Sequence, residues 1–375
     1  MRSIEPATRS APRAVTSSSP AAVGRAPARS TLRPMLELHE ASNAFSQLDA
    51  YLAREAFWGR SGVVADLYLG YGLSGAVRRS HIQPPREPCP LPLLACRIRR
   101  ADEPLAAADT FEIGPWQRSW TDAAYAAAIE HVRSAIARGD VYQVNLVQHL
   151  SAAFSGDTAA VAAALAPLRP LAPRPFITDR WSIISGSPEL FLRRTGKTLQ
   201  TKPIKGTRPA GVHVEGPKDA AEHTMIVDLE RNDLSRVCEL GTVRWPELMV
   251  EHELAGVTHL VSTVEGVARD NVTLGETLAA LFPGGSVTGA PKIAAIDLIA
   301  GLEPVGRGAS MGALGTVSPN GDFDLALTIR TFAVADNIIH FWVGGGIVWD
   351  SDPAAEIEES WVKARPLLAA LECAA

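Results

Sequence analysis

From residue 120 onward the chain mixes long strand-like and long helix-like segments, and this pattern limits the possible folds most. Strand-like runs of β-branched and apolar residues cover 141–146, 181–193, 197–205, 312–317, 325–333 and 338–348. Helical spacing of apolar residues covers 125–137, 219–237, 291–300 and 354–371. The two types do not alternate in a regular βα rhythm, which argues against a doubly wound sheet or a TIM barrel. We predict an α/β protein of the α+β type, with two large packed β-sheets flanked by helices.

Composition indicates a globular protein that needs neither a disulfide nor a metal to fold. The chain has 375 residues, of which 46% are hydrophobic and 21% charged, enough to bury a large core. The four cysteines have neither metal-ligand spacing nor the density of a secreted disulfide framework, so we expect reduced thiols and a cytoplasmic location. No run approaches the roughly eighteen apolar residues of a membrane helix, so no membrane role is expected.

Residues 1–34 form a basic tail that differs from the acidic remainder. They hold six Arg and one Glu, so the tail carries +5 and the remainder −10. Rich in Ala, Pro and Ser and without hydrophobic periodicity, the tail is predicted to be disordered. A transit peptide is an alternative because acids are scarce, although five prolines oppose an amphipathic helix. Nucleic-acid binding is disfavoured, because the acidic remainder would repel phosphates.

Lys205 lies in the segment TKPIKGTRP (201–209), where a strand meets a Gly-Thr turn. Burial there would disfavour the ammonium form and lower the pKa, which a nucleophilic lysine needs near neutral pH. Gly206 lets the backbone approach a ligand closely, and its amide can donate to a carboxylate. The alternative is an ordinary strand lysine that extends to solvent, and this segment alone does not decide between the two.

Glu189 lies among small and apolar residues in the segment GSPELF (186–191). Such surroundings would raise its pKa and allow it to protonate a leaving hydroxyl. Taken alone, most glutamates of this kind are surface residues. The acidic residues of the helix at 219–237, Glu222 among them, likewise have an ordinary explanation in helix-dipole and i,i+4 pairing.

Three glutamates are candidate ligands of a hard cation. Glu356 and Glu359 fall within one helical turn, with Lys363 four residues after Glu359, and a solvated acidic face would explain them without any ligand. Mg²⁺ instead needs carboxylates from separate elements, with waters and ligand oxygens completing an octahedron. Glu222 and Glu359, from two helices, would meet that need.

Two glycine-rich stretches suggest anion binding. The loop PGGSVTGAPK (283–292) precedes a helix, so its amides could hold an anion at the helix N-terminus. Its spacing is not that of a Walker A loop, which disfavours a generic nucleotide-binding protein. Gly344 to Gly346 offer a second close backbone approach, and Arg330 could fork onto a carboxylate. Two anion sites would suit a di-acid substrate.

Together these segments resemble the chorismate-binding enzymes, which include anthranilate synthase component I, aminodeoxychorismate synthase component I, and the isochorismate and salicylate synthases. The resemblance extends over residues 115–373, and the matching pieces stand in family order: 139–146, 187–189, 203–207, Glu222 with 226–236, 259–262, 283–292, 329–331 and 344–348. It implies the chorismate-utilising enzyme fold. Residues 35–114 would be a shortened N-terminal part of the sheet sandwich, and 115–375 the catalytic domain.

The resemblance also implies roles for the matching positions. Lys205 would attack C2 of chorismate as the C4 hydroxyl leaves, Glu189 would protonate that hydroxyl, and ammonia would then enter at C4 and expel the lysine. His259 occupies the position of the family's active-site histidine. The positions that would contact the two substrate carboxylates are Gly206, Thr207, Arg330, Gly344, Gly346 and Lys363. Mg²⁺ would be held by Glu222 and Glu359, with Glu356 acting through water.

Two positions sort the reactions within this family. Isochorismate-type enzymes usually have a lysine base where Gln143 stands, so that branch is disfavoured. Anthranilate synthases typically have Ala at the place of Lys205, whereas aminodeoxychorismate synthases have the Pro-Ile-Lys-Gly-Thr form found here. The sequence therefore favours the 4-amino branch, which leads to 4-aminobenzoate and folate. An anthranilate-type synthase that carries lysine, and a non-catalytic paralogue, are the alternatives.

Three further expectations concern partners and regulation. No cysteine lies in a nucleophile-elbow context, so ammonia is expected from a separate glutamine amidotransferase subunit. The N-terminal third shows no clear version of the segment that binds tryptophan in relatives, so we predict no feedback by tryptophan. Ser310 stands where relatives usually carry a tyrosine near the enolpyruvyl group, and the resemblance does not extend to that contact.

Overall fold

The strands and helices of the chain were located in a computed structural model, which describes residues 35–105, 108–209, 217–254 and 257–374. Within these ranges the strands are β1 (Met35–Leu38), β2 (Val63–Leu69), β3 (Leu94–Arg100), β4 (Phe111–Ile113), β5 (Gln117–Arg118), β6 (Gln143–Gly156), β7 (Phe176–Ile177), β8 (Trp181–Ser185), β9 (Leu190–Thr195), β10 (Thr198–Lys202), β11 (Ile204–Pro209), β12 (Arg244–Leu254), β13 (Val257–Val267), β14 (Gly289–Ala290), β15 (Ala313–Val317), β16 (Phe323–Leu327), β17 (Thr331–Ala335) and β18 (Ile338–Ile347). The helices are α1 (Ala44–Arg54), α2 (Asp122–Ala137), α3 (Thr158–Leu165), α4 (Pro217–Ser235), α5 (Leu274–Leu281), α6 (Lys292–Leu302) and α7 (Pro353–Glu372). The tail predicted to be disordered, 1–34, lies outside the described residues.

The strands form two large antiparallel sheets. In the first sheet the order is β1-β3-β2-β15-β16-β9-β10-β13-β11, with β12 also paired to β13. In the second it is β14-β6-β18-β17-β8-β7, with β4 and β5 paired to β6. The predicted class, two packed sheets flanked by helices, is confirmed. The searched helices include none that is long and apolar enough to cross a membrane.

The core lies on both faces of the second sheet, and strand periodicity decides which residue faces which layer. Phe332 and Phe341 belong to a cluster with α3 and α7, whereas their neighbours Ala333 and Trp342 belong to the cluster shared with the first sheet. Successive strand residues point to opposite faces, so both sets of apolar positions are buried. The second sheet is thus covered by the first sheet on one side and by helices on the other.

Two segments that read as single strands switch between the sheets. The prediction of one strand over 181–193 is wrong, because β8 lies in the second sheet and β9 in the first. The prediction of one strand over 325–333 is wrong in the same way, with β16 in the first sheet and β17 in the second. Arg330 breaks the latter run with a φ of 50°, a left-handed conformation that interrupts an extended chain.

The two switches, which we call the paired crossovers (186–189 and 328–330), run side by side. The N–H of Gly186 donates to Arg330 O at 2.9 Å, and the N–H of Leu327 donates to Glu189 O at 3.0 Å. A Cβ at position 186 would lie 3.0 Å from Arg330 O, so the close approach requires glycine there. The two segments therefore cross between the sheets side by side, in opposite directions.

The four predicted helices are confirmed, with small changes at their ends. Segments 125–137, 219–237, 291–300 and 354–371 correspond to α2, α4, α6 and α7. The Thr121 side chain accepts from Ala124 N at 3.1 Å at the start of α2, and Gly139 follows its end with a φ of 81°. Asp352 caps α7 in the same manner, accepting from Ala355 N at 2.9 Å.

A buried ion pair joins the segment after α6 to the second sheet. Arg307, 1% exposed, donates to both carboxylate oxygens of Glu303 at 2.7 and 2.8 Å. Its guanidinium also donates to Asn145 O at 2.6 Å and to Val287 O at 3.0 Å. Glu303 in turn accepts from Val147 N at 3.0 Å. Each partner satisfies the other in a place that excludes water.

We predict that Glu303→Gln lowers the free energy of unfolding by about 3–5 kcal/mol, because it leaves Arg307 as an uncompensated buried charge while keeping an acceptor for Val147 N. Urea unfolding followed by circular dichroism measures the loss. Glu358→Gln, which removes a charge from the exposed pair with Arg365, is the matched control and should change little. Equal stability of the two variants would contradict this account of the ion pair.

Candidate active site

One cavity collects nearly all of the candidate residues. It is lined by Glu189 and Arg330 from the paired crossovers, Lys205 and Gly206 from β11, His259 from β13, Glu222 from α4, Gly344 and Gly346 from β18, and Glu356, Glu359 and Lys363 from α7. Of the candidates, Thr207 is the exception, since its side chain lies outside the description. Residues that are far apart in sequence therefore line one cavity next to the paired crossovers.

Lys205 is mostly buried and pairs with a carboxylate. Its side chain is 11% exposed, and Nζ donates to Glu222 Oε1 at 2.6 Å. The Gln143 side chain donates to the same oxygen at 2.8 Å. The register of β11 against β13 shifts between Lys205 and Thr207, where Gly206 has a φ of 60°. Such a bulge interrupts the regular alternation of side chains along the strand next to Lys205. The alternative of a lysine that extends to solvent is wrong.

Glu189 is an acid in a nearly water-free place. It is 4% exposed, and the Ser286 hydroxyl donates to its Oε1 at 2.7 Å. Burial raises the pKa of Glu189, and the Ser286 hydrogen bond together with the charges of Lys205 and Arg330 opposes that rise. The alternative of a surface glutamate is wrong. A raised pKa favours the protonated carboxyl, which is the form that can give a proton to a bound group.

Arg330 and His259 differ in charge although both are buried. Burial lowers the pKa of Arg330, with Glu189 opposing the shift, but a guanidinium stays charged. Burial and then the charge of Arg330 lower the pKa of His259 to about 4, against a hydrogen bond with the Gly206 backbone. His259 is therefore neutral at physiological pH. It offers hydrogen bonding to the cavity, whereas Arg330 offers positive charge.

Three carboxylates lie around the glycines of β18. A Cβ at Gly346 would lie 2.9 Å from Glu222 Oε1, and one at Gly345 would lie 3.4 Å from Glu356 Oε2 and 3.7 Å from Glu359 Oε1. These donors are all oxygens from two helices, which suits a hard cation such as Mg²⁺ that also keeps waters. In the part of the chain that was searched, no three His, Cys, Asp or Glu residues form a ready-made metal cluster. The donor chemistry thus fits a cation that is completed by water and ligand oxygens.

Neighbouring side chains, one just before α7 and one on it, hold two of these carboxylates. The Ser351 hydroxyl donates to Glu356 Oε1 at 2.6 Å. Lys363 Nζ lies 2.7 Å from Glu359 Oε1 and donates to Gly344 O at 3.2 Å. Lys363 therefore binds both the helix and β18, and with Arg330 it gives the cavity two positively charged side chains besides Lys205.

Several lining residues were not singled out from the sequence. These are Asn145, Pro188, Ile204, Ser286, Val287, Met311, Ile329, Trp342 and Val343. Ser286 belongs to the glycine-rich loop, where the sequence suggested an anion cradle. That prediction is wrong at Gly285, whose N–H donates to Glu230 Oε1 at 3.0 Å. At the position of the missing tyrosine, Ser310 is fully buried and its neighbour Met311 lines the cavity.

Residues 72–369 match the family model described as chorismate binding enzyme. The chain belongs to this family. Anthranilate synthase component 1 of Thermus thermophilus is 42% identical over 275 residues, which are 69% of this chain and 59% of that protein. Aminodeoxychorismate synthase component 1 of Escherichia coli is 39% identical over 272 residues, 68% of this chain and 59% of that protein. The chain thus spans about three fifths of the length of these curated relatives.

The fold is that of solved chorismate-utilising enzymes. The crystal structure of anthranilate synthase component I from Streptococcus pneumoniae superimposes with a TM-score of 0.76 at 24% identity, covering 89% of each chain. An isochorismate synthase structure from Bacillus anthracis gives a TM-score of 0.70 at 22% identity, covering 90% of this chain and 91% of that one. Enzymes described as anthranilate and isochorismate synthases therefore share one architecture with this chain, and individual residues have to separate the reactions.

The glycines of β18 allow a prediction within the cavity wall. A Cβ at Gly344 would lie 1.8 Å from Leu146 O, a backbone atom of the paired strand β6, whereas a Cβ at Gly345 would meet only flexible side-chain ends at 3.4 Å or more. Gly344→Ala should therefore lower the free energy of unfolding by about 3 kcal/mol through overpacking. Gly345→Ala serves as control. Thermal unfolding that places both variants at the same midpoint would be incompatible with this packing.

Proposed function

We propose that this protein is a Mg²⁺-dependent synthase that converts chorismate and ammonia to 4-amino-4-deoxychorismate. The proposal rests mainly on the partly buried contact of Lys205 Nζ with Glu222 Oε1 at 2.6 Å, in a cavity that Glu189 also lines. Such an amine can act as a nucleophile, and a nearby carboxylic acid can protonate the hydroxyl that the amine displaces. Membership of the chorismate binding enzyme family supplies the substrate class.

The charges of the cavity suit a dicarboxylate substrate. Arg330 and Lys363 provide fixed positive charge, and Gly206, Gly344 and Gly346 let the backbone approach the ligand. We assign contacts with the ring carboxylate and the enolpyruvyl carboxylate to these residues and to Thr207. A substrate held at both ends is presented to Lys205 in one orientation, which reduces the entropic cost of reaching the transition state.

Two displacements would complete the reaction. The amine of Lys205 attacks C2, the ring double bond shifts, and the C4 hydroxyl leaves as water with the proton of Glu189. Ammonia then attacks C4, the double bond shifts back, and the C2–nitrogen bond to Lys205 breaks. His259, which is neutral at physiological pH, acts through hydrogen bonding. Before the first step Glu222 has to give up the lysine, because an amine that is held as an ion pair is not a nucleophile.

Glu222 and Glu359 are the proposed ligands of Mg²⁺, with Glu356 acting through a water molecule. When bound there, the ion supplies positive charge to the ring carboxylate and to the charge that develops on the ring. The carboxylate that holds Lys205 is thus also a proposed metal ligand. This double use offers a reason for Glu222 to release the amine only in the loaded site.

Lys205 also supports the 4-amino product over the 2-amino product. The anthranilate synthases that the chain resembles typically have Ala at this place, and the aminodeoxychorismate synthases have lysine. The Thermus thermophilus relative, named for anthranilate synthase, makes the anthranilate-type reaction the second candidate. We further propose that ammonia comes from a glutamine amidotransferase partner, consistent with relatives that are named component 1, and that the enzyme acts in the cytoplasm, in 4-aminobenzoate and folate synthesis.

We predict that the chain converts chorismate to 4-amino-4-deoxychorismate with Mg²⁺ and a high concentration of ammonium at alkaline pH, without a partner. Nuclear magnetic resonance of the product locates the amino group at C4. Lys205→Ala should lower kcat at least about a thousandfold by removing the nucleophile. Lys202→Ala, a change to a strand lysine that pairs with Glu247 instead, is the matched control and should keep most of the activity. An amino group at C2, or full activity of Lys205→Ala, would refute the proposal.

A further inference from the structure

Glu230 is a buried acid outside the proposed reaction. It belongs to α4 and is 3% exposed. The N–H of Gly285 donates to its Oε1 at 3.0 Å, and within the ranges that the structure describes this is the only hydrogen bond that the carboxyl group makes. Burying a carboxyl group with a single neutral hydrogen-bond partner lowers the stability of the fold, so a functional reason for Glu230 is worth seeking.

A single turn, 285–287, connects Glu230 with the acid of the active site. Gly285 donates to Glu230, and the next residue, Ser286, donates from its hydroxyl to Glu189 Oε1 at 2.7 Å. The turn has little freedom, because a Cβ at Gly285 would lie 2.5 Å from Leu229 Cδ2 and 3.1 Å from Glu230 Oε1. A shift of the Glu230 carboxyl would therefore move the hydroxyl that Glu189 accepts from.

Glu230 and Glu189 have different charged neighbours. Lys292 donates to Asp233 and, at 3.0 Å, to Leu281 O. Asp233 thus takes the hydrogen bond of the lysine whose charge acts on Glu230. Glu189, in contrast, feels the positive charges of Lys205 and Arg330.

The titration of the two acids is linked. Burial raises the pKa of Glu230 to about 7; Lys292 opposes this rise, and the charges of Asp233 and Glu189 add to it. Burial also raises the pKa of Glu189. The charge of one carboxyl disfavours ionisation of the other, and this coupling acts equally in both directions. Charge on Glu230 therefore keeps the proton on Glu189 to a higher pH.

We propose that Glu230 is a positioning residue for Glu189, which it controls through the turn 285–287 and through its own negative charge. The inference rests on the proposed function in one respect, that Glu189 acts as the acid. Glu230 holds Ser286 against Glu189 and extends the pH range over which Glu189 can donate its proton.

The test compares Glu230→Gln and Glu230→Leu with wild type in the full chain, with Mg²⁺ and ammonium, by following chorismate consumption across pH. Gln keeps an acceptor for Gly285 but removes the charge, so the alkaline limb of kcat should move down by about 0.5–1 pH unit while KM changes little. Leu also removes the acceptor, so kcat should fall about tenfold as well. Asp228→Asn, an exposed charge on the same helix, is the matched control and should leave the profile unchanged.

A purely structural role for Glu230 predicts a wild-type profile for Glu230→Gln, and that result would overturn the proposal. Infrared titration of the protonated carboxyl bands, with Glu189→Gln for assignment, gives a second readout that needs no turnover. Because coupling is reciprocal, Glu230 should titrate lower in Glu189→Gln by the same amount as Glu189 does in Glu230→Gln. An unmoved Glu230 band would also overturn the proposal. Since this readout is independent of the product, it separates failure of the inference from failure of the proposed function.

Discussion

The paired crossovers are the constraint on which the cavity depends. Because the N–H of Gly186 donates to Arg330 O and the N–H of Leu327 donates to Glu189 O, the two crossover segments cannot move independently. They bring a buried acid and a buried guanidinium to the seam between the sheets, where β11, β18, α4 and α7 add their side chains. Moving either crossover would separate Glu189 from Arg330 and would also break the sandwich, so fold and site are stabilised by the same hydrogen bonds.

Charge balance within the cavity follows from that architecture. Lys205 is matched by Glu222 and Lys363 by Glu359, whereas Arg330 faces Glu189. Buried charges are tolerated when they are paired, and losing one partner is far more costly than exchanging it for another. A dicarboxylate and a hard cation would exchange partners within this set rather than add unmatched charge. Lys205 and Lys363 are therefore already paired with carboxylates, and Arg330 supplies positive charge to the cavity.

The sequence predicted the sheets, the four long helices and most of the cavity wall, because Lys205, Gly344 and the α7 glutamates stand in compact motifs or clear periodicity. It did not predict the crossovers, since the segments through Glu189 and Arg330 each read as one strand, and a positive φ at an arginine leaves no mark in composition. Apart from Glu222, it treated the acids of α4 as ordinary helix charges, and only packing shows that Glu230 is buried. The weak periodicity before residue 108 left α1 without a prediction.

In the proposed reaction, carbon–nitrogen bond formation begins on the protein itself, at Lys205. Intact-mass and peptide mass spectrometry after mixing the protein with chorismate and Mg²⁺, without ammonia, tests it most directly. We expect an added mass of chorismate minus water on the peptide that contains Lys205, and we expect this mass to be lost when ammonium is supplied. Aminated product formed with no such adduct, or an adduct on another residue, would contradict it.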